Sequence, residues 1–214
     1  MKRPILLLAS LLAAQLSFGQ WFAEPMLGFR QDLNNPDFHL FNAGVQVAWK
    51  VSRYYELLFT VQRSLPADFK YQQSAFTSNS TLPLSVNVQK TLRPSVLNIG
   101  FGNRFFMAGK HSANKLMAKV YAGYMYDEIK VNYSDYDKVN YVLLNPDKRM
   151  KKDGLYLAFG FEFIRSIGNN RIFAAIDLAT PPIGQRLSDY PNSFRSIVPF
   201  TINLGYSISL SKNK

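Results

Sequence analysis

No cysteine occurs in the 214 residues, histidine occurs twice, and beyond residue 19 no apolar run is long enough to cross a membrane as a helix. The first absence excludes a disulfide framework, a lipid-modified N-terminal cysteine, a thiolate zinc site and a cysteine nucleophile. The second leaves His39 and His111 as the whole stock of imidazole, and no phosphate or calcium loop accompanies them. The third excludes a helical membrane span, which needs about 20 predominantly apolar residues. Acids are also scarce, 14 Asp and Glu against 25 Lys and Arg, for a net charge of +11. That balance raises nucleic acid as a partner, a question that the placement of the charges decides. What the chain does have is 47% apolar and 14% aromatic residues. This is too apolar for a disordered polymer, and at this length it suffices for one domain with a sizeable core or a closed barrel.

Residues 1–19 have the layout of a secretory signal. Lys2 and Arg3 precede an apolar stretch from Ile5 to Leu16, and Ser17 and Gly19 supply the small residues before a cleavage that leaves Gln20 first. The apolar core is short for an anchor helix. The expected organisation is therefore a signal peptide, 1–19, and a single domain, 20–214. Removing Lys2 and Arg3 lowers the mature charge from +11 to +9.

From Gln20 onward a period of two replaces any helical period. Ala43, Val45, Val47, Trp49 and Val51 alternate with Gly44, Gln46, Ala48 and Lys50. Leu155, Leu157, Phe159, Phe161 and Phe163 alternate with Tyr156, Ala158, Gly160 and Glu162. Similar alternation fills 96–107, 115–125 and 198–210, with weaker versions at 21–30, 54–64 and 171–179. Eight strands follow, mostly of 10–13 residues. They are longer than the usual ~5–6 and match the ~9–11 that a tilted strand needs to cross a bilayer. The connections at 52–53, 108–114 and 168–170 are short, whereas those at 31–37, 66–94, 132–153 and 180–195 are mostly much longer. An up-and-down antiparallel transmembrane β-barrel inserted from the periplasm sorts its turns and loops in this way. The stretch 68–89 alternates weakly twice, so it reads either as a hairpin extension of an outer loop or as two further strands, making ten.

Alternation alone does not say which face is inside. Gly28, Gly44, Gly100, Gly102, Gly123, Gly160 and Gly205 all fall on the polar face, where a narrow lumen needs small residues beside large ones. The same face carries Glu24, Lys50, Glu56, Arg104, Lys119, Glu162 and Asp177. Turned to lipid, each Lys or Arg costs up to about 2–4 kcal/mol near the midplane. Turned inward, four acids can pair with three bases. The expectation is an ion-pair plug in the half of the lumen nearer the short turns, set against the alternative of separately solvated luminal residues. Aromatics fall where interface belts belong: Trp21, Trp49, Tyr54, Tyr55, Phe105 and Phe163 at the short-turn side, and Phe38, Phe41, Tyr124, Tyr126, Tyr133 and Phe200 at the other.

Near the C-terminus, Asn203, Gly205, Ile208 and Leu210 occupy the polar, glycine and hydrophobic positions of a pattern that resembles the terminal signal read by the outer-membrane barrel assembly machinery. The last two positions are aliphatic where aromatics are usual, and residues 211–214 run beyond the usual end. With the leader and the alternating strands, the mature chain is similar to the membrane domain of outer membrane protein A, a small Gram-negative outer-membrane β-barrel protein. The resemblance implies architecture and location. Members of that group serve as anchors, adhesins, narrow pores and lipid-modifying enzymes, so the fold does not choose a function.

Catalysis has little to stand on. On this topology His39 and His111 lie at opposite ends of the barrel, which excludes a metal centre built on both. A triad of His39 with Ser74 or Ser188 and Asp189 has no local motif behind it. Arg53, Lys110, Lys115, Arg165, Arg171, Lys212 and Lys214 map to the short-turn rim, where anionic phospholipid headgroups are a simpler partner than nucleic acid. Lys148, Arg149, Lys151 and Lys152 lie in a mixed-charge outer loop and are candidates for lipopolysaccharide phosphates. The reading is a monomeric, non-enzymatic outer-membrane barrel without cofactor or metal, with a plugged polar lumen and a structural or surface-interaction role through its long loops. Its partners are outer-membrane lipids, lipopolysaccharide and, during insertion, the barrel assembly machinery. The alternatives are a narrow porin-like channel gated by the luminal charges and a periplasmic lipocalin-like carrier.

Overall fold

The structure is a computed structural model that describes residues 20–32, 35–109, 112–144, 146, 149–180 and 199–210. The leader 1–19 and most of the 180–195 connection lie outside the described residues. The strands are β1 (Gln20–Asp32), β2 (Asn35–Ser52), β3 (Tyr55–Ser64), β4 (Phe69–Phe76), β5 (Ser85–Ala108), β6 (Asn114–Tyr133), β7 (Val142–Leu143), β8 (Met150–Ile167), β9 (Asn170–Ala179) and β10 (Pro199–Ser209). Eight of them close a ring of antiparallel pairings in the order β1, β2, β3, β5, β6, β8, β9, β10 and back to β1. Closure leaves the ring without an edge strand. The two remaining strands, β4 and β7, stand outside it.

Following cross-strand partners around the ring fixes its geometry. Lys50 of β2 pairs with Glu56, then come Arg104, Lys119, Gly160, Asp177, Thr201 and Arg30, and the row returns to β2 at Leu40. It comes back ten residues from where it started. That stagger is the shear of the barrel, and it forces the strands to tilt. In the ring, Leu27, Phe41, Val45, Phe59, Phe101, Val120, Leu155, Leu157, Phe159, Phe161, Ile176 and Leu204 are exposed on the outside. Polar groups such as Gln46, Thr60, Asn203 and Ser207 are buried inside. A lipocalin-like carrier has the opposite arrangement. Gly102 shows why small residues line the inner face: a Cβ there would overlap Tyr121 and the Val120 carbonyl. Two of the short turns use Gly109 and Gly168 at φ of 89° and 59°, a left-handed backbone that glycine adopts without a Cβ clash. At the same end Trp21 and Trp49 stack at 5.5 Å on neighbouring strands.

The outer end departs from the loop expectation. β1 runs to Asp32 and β2 starts at Asn35, so strand replaces most of the expected 31–37 loop. On the other side of the barrel, β5 pairs with β3 from Phe105 to Leu97 and then with β4 from Leu92 to Ser85. The 66–94 stretch is thus a hairpin extending one wall outward, and the ring stays at eight strands. β7, within the expected 132–153 loop, adds to β4 through Ala75–Leu143 and Phe76–Val142. Polarity inverts along this wall. Leu97, Ile99 and Phe101 of β5 face outward, but above them the outward positions are Ser95, Arg93, Thr91 and Gln89, while Val96, Leu92 and Val88 turn inward and are buried. On β6 the outward series Val120, Ala122, Tyr124 continues as Glu128 and Lys130, and Ile129 packs inside. Two of the buried apolar clusters among the described residues lie toward this end, one around Leu40, Leu92, Met125, Ile129 and Tyr156, the other around Ala75, Val88, Tyr141 and Leu143. Tyr133, expected in the outer aromatic belt, packs against the second cluster.

Replacing Gly102 by leucine is expected to prevent closure, because the displaced group includes backbone. Loss of the heat-dependent gel mobility of the folded barrel would register it, while Gly168→Ala, whose Cβ meets nothing within 4 Å, should fold with a penalty of only about 1–2 kcal/mol for its backbone conformation.

Candidate functional site

The lumen holds one continuous polar network in its short-turn half. Lys50, Glu56, Arg104, Lys119 and Asp177 share the cross-strand row described above, every one on the inward face. Because the row climbs around the barrel, the next carboxylates at Arg104's height come from other rows, Glu24 of β1 and Glu162 of β8. Arg104 has no exposure to solvent and is held from three sides. Its Nε donates to Glu56 at 2.9 Å, Nη2 donates to Glu24 at 2.9 Å and also to Glu56, and Nη1 donates to Glu162 and, at 3.2 Å, to Glu24. Lys119 Nζ lies 3.3 Å from Glu162 and donates to Asp177 at 3.0 Å. Gln46 donates to Glu24 at 2.6 Å and Asn203 to Asp177 at 3.0 Å, while Gln62 in turn donates to Asn203 at 3.0 Å. Gly160, the one glycine in the row, leaves room for the Asp177 carboxylate that a Cβ there would overlap.

Six of the seven charged residues singled out in the sequence meet in this network: Glu24, Glu56, Arg104, Lys119, Glu162 and Asp177. Lys50 faces inward, is half-buried and forms no ion pair among the described residues. Arg171 takes the third cationic place. Its position just after a turn puts it on the rim in a sequence reading, yet it is buried, donates to Glu56 at 2.8 and 3.1 Å and lies 3.4 Å over the Phe22 ring. Its place in the alternation, in phase with Phe173, Ala175 and Asp177, is the signal that sets it inside. Lys115 likewise points inward, near Lys50 and Arg171. Arg53 and Arg165 are exposed at the rim, and Lys110, Lys212 and Lys214 lie outside the described residues. Higher in the lumen Arg30 is buried against Met125, and neither its Nη1 nor Asp127 Oδ1 has a hydrogen-bond partner among the described residues. The sequence pattern singles out neither, since each ends a run of alternation.

The proposed assembly residues split by face. Asn203 and Gly205 point into the lumen, and the Phe173 ring occupies the space beside Gly205. Ile208 and Leu210 are exposed outside. His39 stacks on Phe29 at 5.9 Å and meets Phe69 edge-on at 6.0 Å. Ser74 lies five residues beyond Phe69 along β4, roughly 16 Å away, so the two do not form a dyad. His111, Ser188 and Asp189 fall outside the described residues, as do Asp147 and Lys148, and no cluster of metal-ligating groups occurs among those described.

Above the apolar wall the outer surface carries its own ion pairs. Arg93 donates to Asp68 at 2.7 and 2.9 Å, and Arg149 donates to Glu128 at 2.7 Å. Those hydrogen bonds hold both carboxyls below their ordinary values. A depressed carboxylate stabilises the fold above its unfolded value and loses that contribution as pH falls through the folded one, so both pairs are intact at neutral pH and weaken in acid.

An eight-stranded antiparallel barrel with apolar side chains outside and charged side chains buried inside has the architecture of the small outer-membrane β-barrels. Among solved structures it is similar to Neisserial surface protein A, at 10% identity and a TM-score of 0.51, over 90% of this chain and 97% of that one. A major outer membrane protein from Thermus thermophilus is similar at 9% identity and a TM-score of 0.52, over 90% and 100% of the two chains. At such identities the likeness is one of fold. No protein-family model matches the sequence, and no curated protein does.

Substituting Arg104 by methionine removes the cation shared by three buried carboxylates, leaves Glu24 without an ion pair among the described residues, and is expected to cost about 3–5 kcal/mol of unfolding free energy. Urea titration in detergent micelles measures it. Adding Glu24→Gln should recover part of the loss, the non-additivity of a coupled network. Independently solvated residues would give less than about 1 kcal/mol and no coupling.

Proposed function

We propose that the chain is exported by way of residues 1–19 and resides in the outer membrane as a monomeric, non-enzymatic barrel with a plugged lumen. Its role is structural or surface-directed, exercised through the wall built from β4, β5, β6 and β7. The carrying observation is the outward face itself: Phe159, Phe161, Leu157 and their neighbours are exposed in one band, and charged residues such as Arg93 and Lys130 begin just above it. Water has no use for such a band, whereas hydrocarbon does. The plugged, structural reading is supported by Arg104, Glu24 and Glu162, which lie inside the ring without solvent exposure. Lipopolysaccharide is the proposed outer partner, and the assembly machinery is the proposed reader of β10 with Asn203, Gly205, Ile208 and Leu210.

Membrane fractionation with a heat-dependent gel shift tests the location, with the folded protein expected in the outer-membrane fraction. Recovery as a soluble periplasmic protein would overturn it. Planar bilayers are expected to stay silent; steady conductance steps would replace the plugged barrel with a narrow channel. Phe159→Arg is expected to lower stability in lipid vesicles by about 2–4 kcal/mol.

A further inference from the structure

The passage from β3 to β4 contains a proline and does not keep step with β5. From Arg63 to Phe69 the chain uses six residues where β5 uses five between Leu97 and Leu92. Pro66 has no N–H to give to a ladder, and the wall opens outward into a cleft of about 980 Å³. Arg63, Asp68, Arg93, Glu128 and Lys130 line it. Its position is as notable as its shape, because Val61, Ile99 and Phe101 of the apolar band lie directly beneath on the same outward face.

The charges in the cleft are not balanced internally. Arg93 and Lys130 are direct cross-strand partners on the outer face, an arrangement of like charges that destabilises a sheet. Asp68 answers Arg93 and Glu128 is taken by Arg149. Arg63 and Lys130 form no salt bridge among the described residues, and both are exposed. Arg63 and Lys130, each without a salt bridge among the described residues, line one cleft with Arg93 above an apolar surface, which suits an anion that carries hydrocarbon below it.

We propose that this cleft binds the phosphorylated headgroup of a lipid in the surrounding leaflet, with phosphate oxygens on Arg63 and Lys130 and acyl chains against Val61, Ile99 and Phe101. The inference rests on the barrel standing in a membrane with this end in the outer leaflet. It moves the lipid contact away from residues 148–152, where Arg149 is committed to Glu128, to a cleft about two residues above the apolar band. Arg93 shares the site and keeps its position through Asp68.

The test uses the purified full-length barrel in detergent, with diphosphorylated lipid A and its dephosphorylated form as probes and native mass spectrometry to count bound lipid. The wild-type barrel should retain one diphosphorylated lipid A, and R63Q/K130Q should bind it about tenfold or more weakly, as expected for two charges near a lipid surface. R165Q, at the opposite rim, should bind as the wild type does. Equal binding of the dephosphorylated lipid, unchanged binding by the double variant, or an equal loss in R165Q would each overturn the proposal. Inorganic phosphate binding as tightly as the lipid would also overturn it, since the site would then take a free ion. Folding is checked by the gel shift, and R63Q and K130Q made singly carry the same test if the double variant does not fold. A soluble periplasmic location would sink the membrane reading itself, whereas failure of the lipid assay with a correctly located barrel sinks only the cleft.

Discussion

A guanidinium removed from water requires negative charge within hydrogen-bonding distance, and Arg104 obtains it from Glu24, Glu56 and Glu162 on three different strands. The rest of the lumen is arranged around that demand. Burying three carboxylates around one cation calls for more positive charge, supplied by Arg171 at Glu56 and Lys119 at Glu162. Lys119 then engages Asp177, which Asn203 also satisfies. Each link is secured by the next, so the ion pairs alone tie together six of the eight ring strands. A buried ionic network of this kind is weak evidence of net stability compared with a packed apolar interior. Its clearer effect is to make one register of the barrel the one in which all charges are met.

The ring is legible in the sequence because the physics behind it is periodic. Leu155 to Phe163 announce a wall with lipid-like surroundings, and Gly160 and Glu162 between them announce a crowded polar interior. The inward charges can be collected from the same alternation, since a side chain's face follows from its parity. Arg171 escapes because adjacency to a turn suggests a rim position. Parity with Asp177, six residues on, is the better guide.

The outer extension is harder to read for a definite reason. In β5 the apolar series changes parity at Val96 and Leu97, where an outward-apolar pattern gives way to an inward-apolar one. A reader following a single phase sees alternation fail there and writes a loop. What fails is only the choice of solvent: below, the surroundings call for apolar side chains outside, and above, water calls for them inside, as in any small soluble sheet. Tyr141 joins the two outer connections by donating to the Pro83 carbonyl at 3.1 Å, a contact between distant segments that no local pattern reveals.

The inversion has a mechanical consequence for a barrel standing in a bilayer. Leu97 and Tyr126 mark a waterline on neighbouring strands, paired in register. Sinking by two residues would move the protein about 5 Å along the membrane normal, allowing for strand tilt. That step would bring Glu128, Arg93 and Lys130 toward hydrocarbon, and rising by the same amount would lift Ile99 and Tyr124 into water. In such a barrel the two strands would act as a draught mark cut into the hull, biasing the molecule toward one depth through their own side chains.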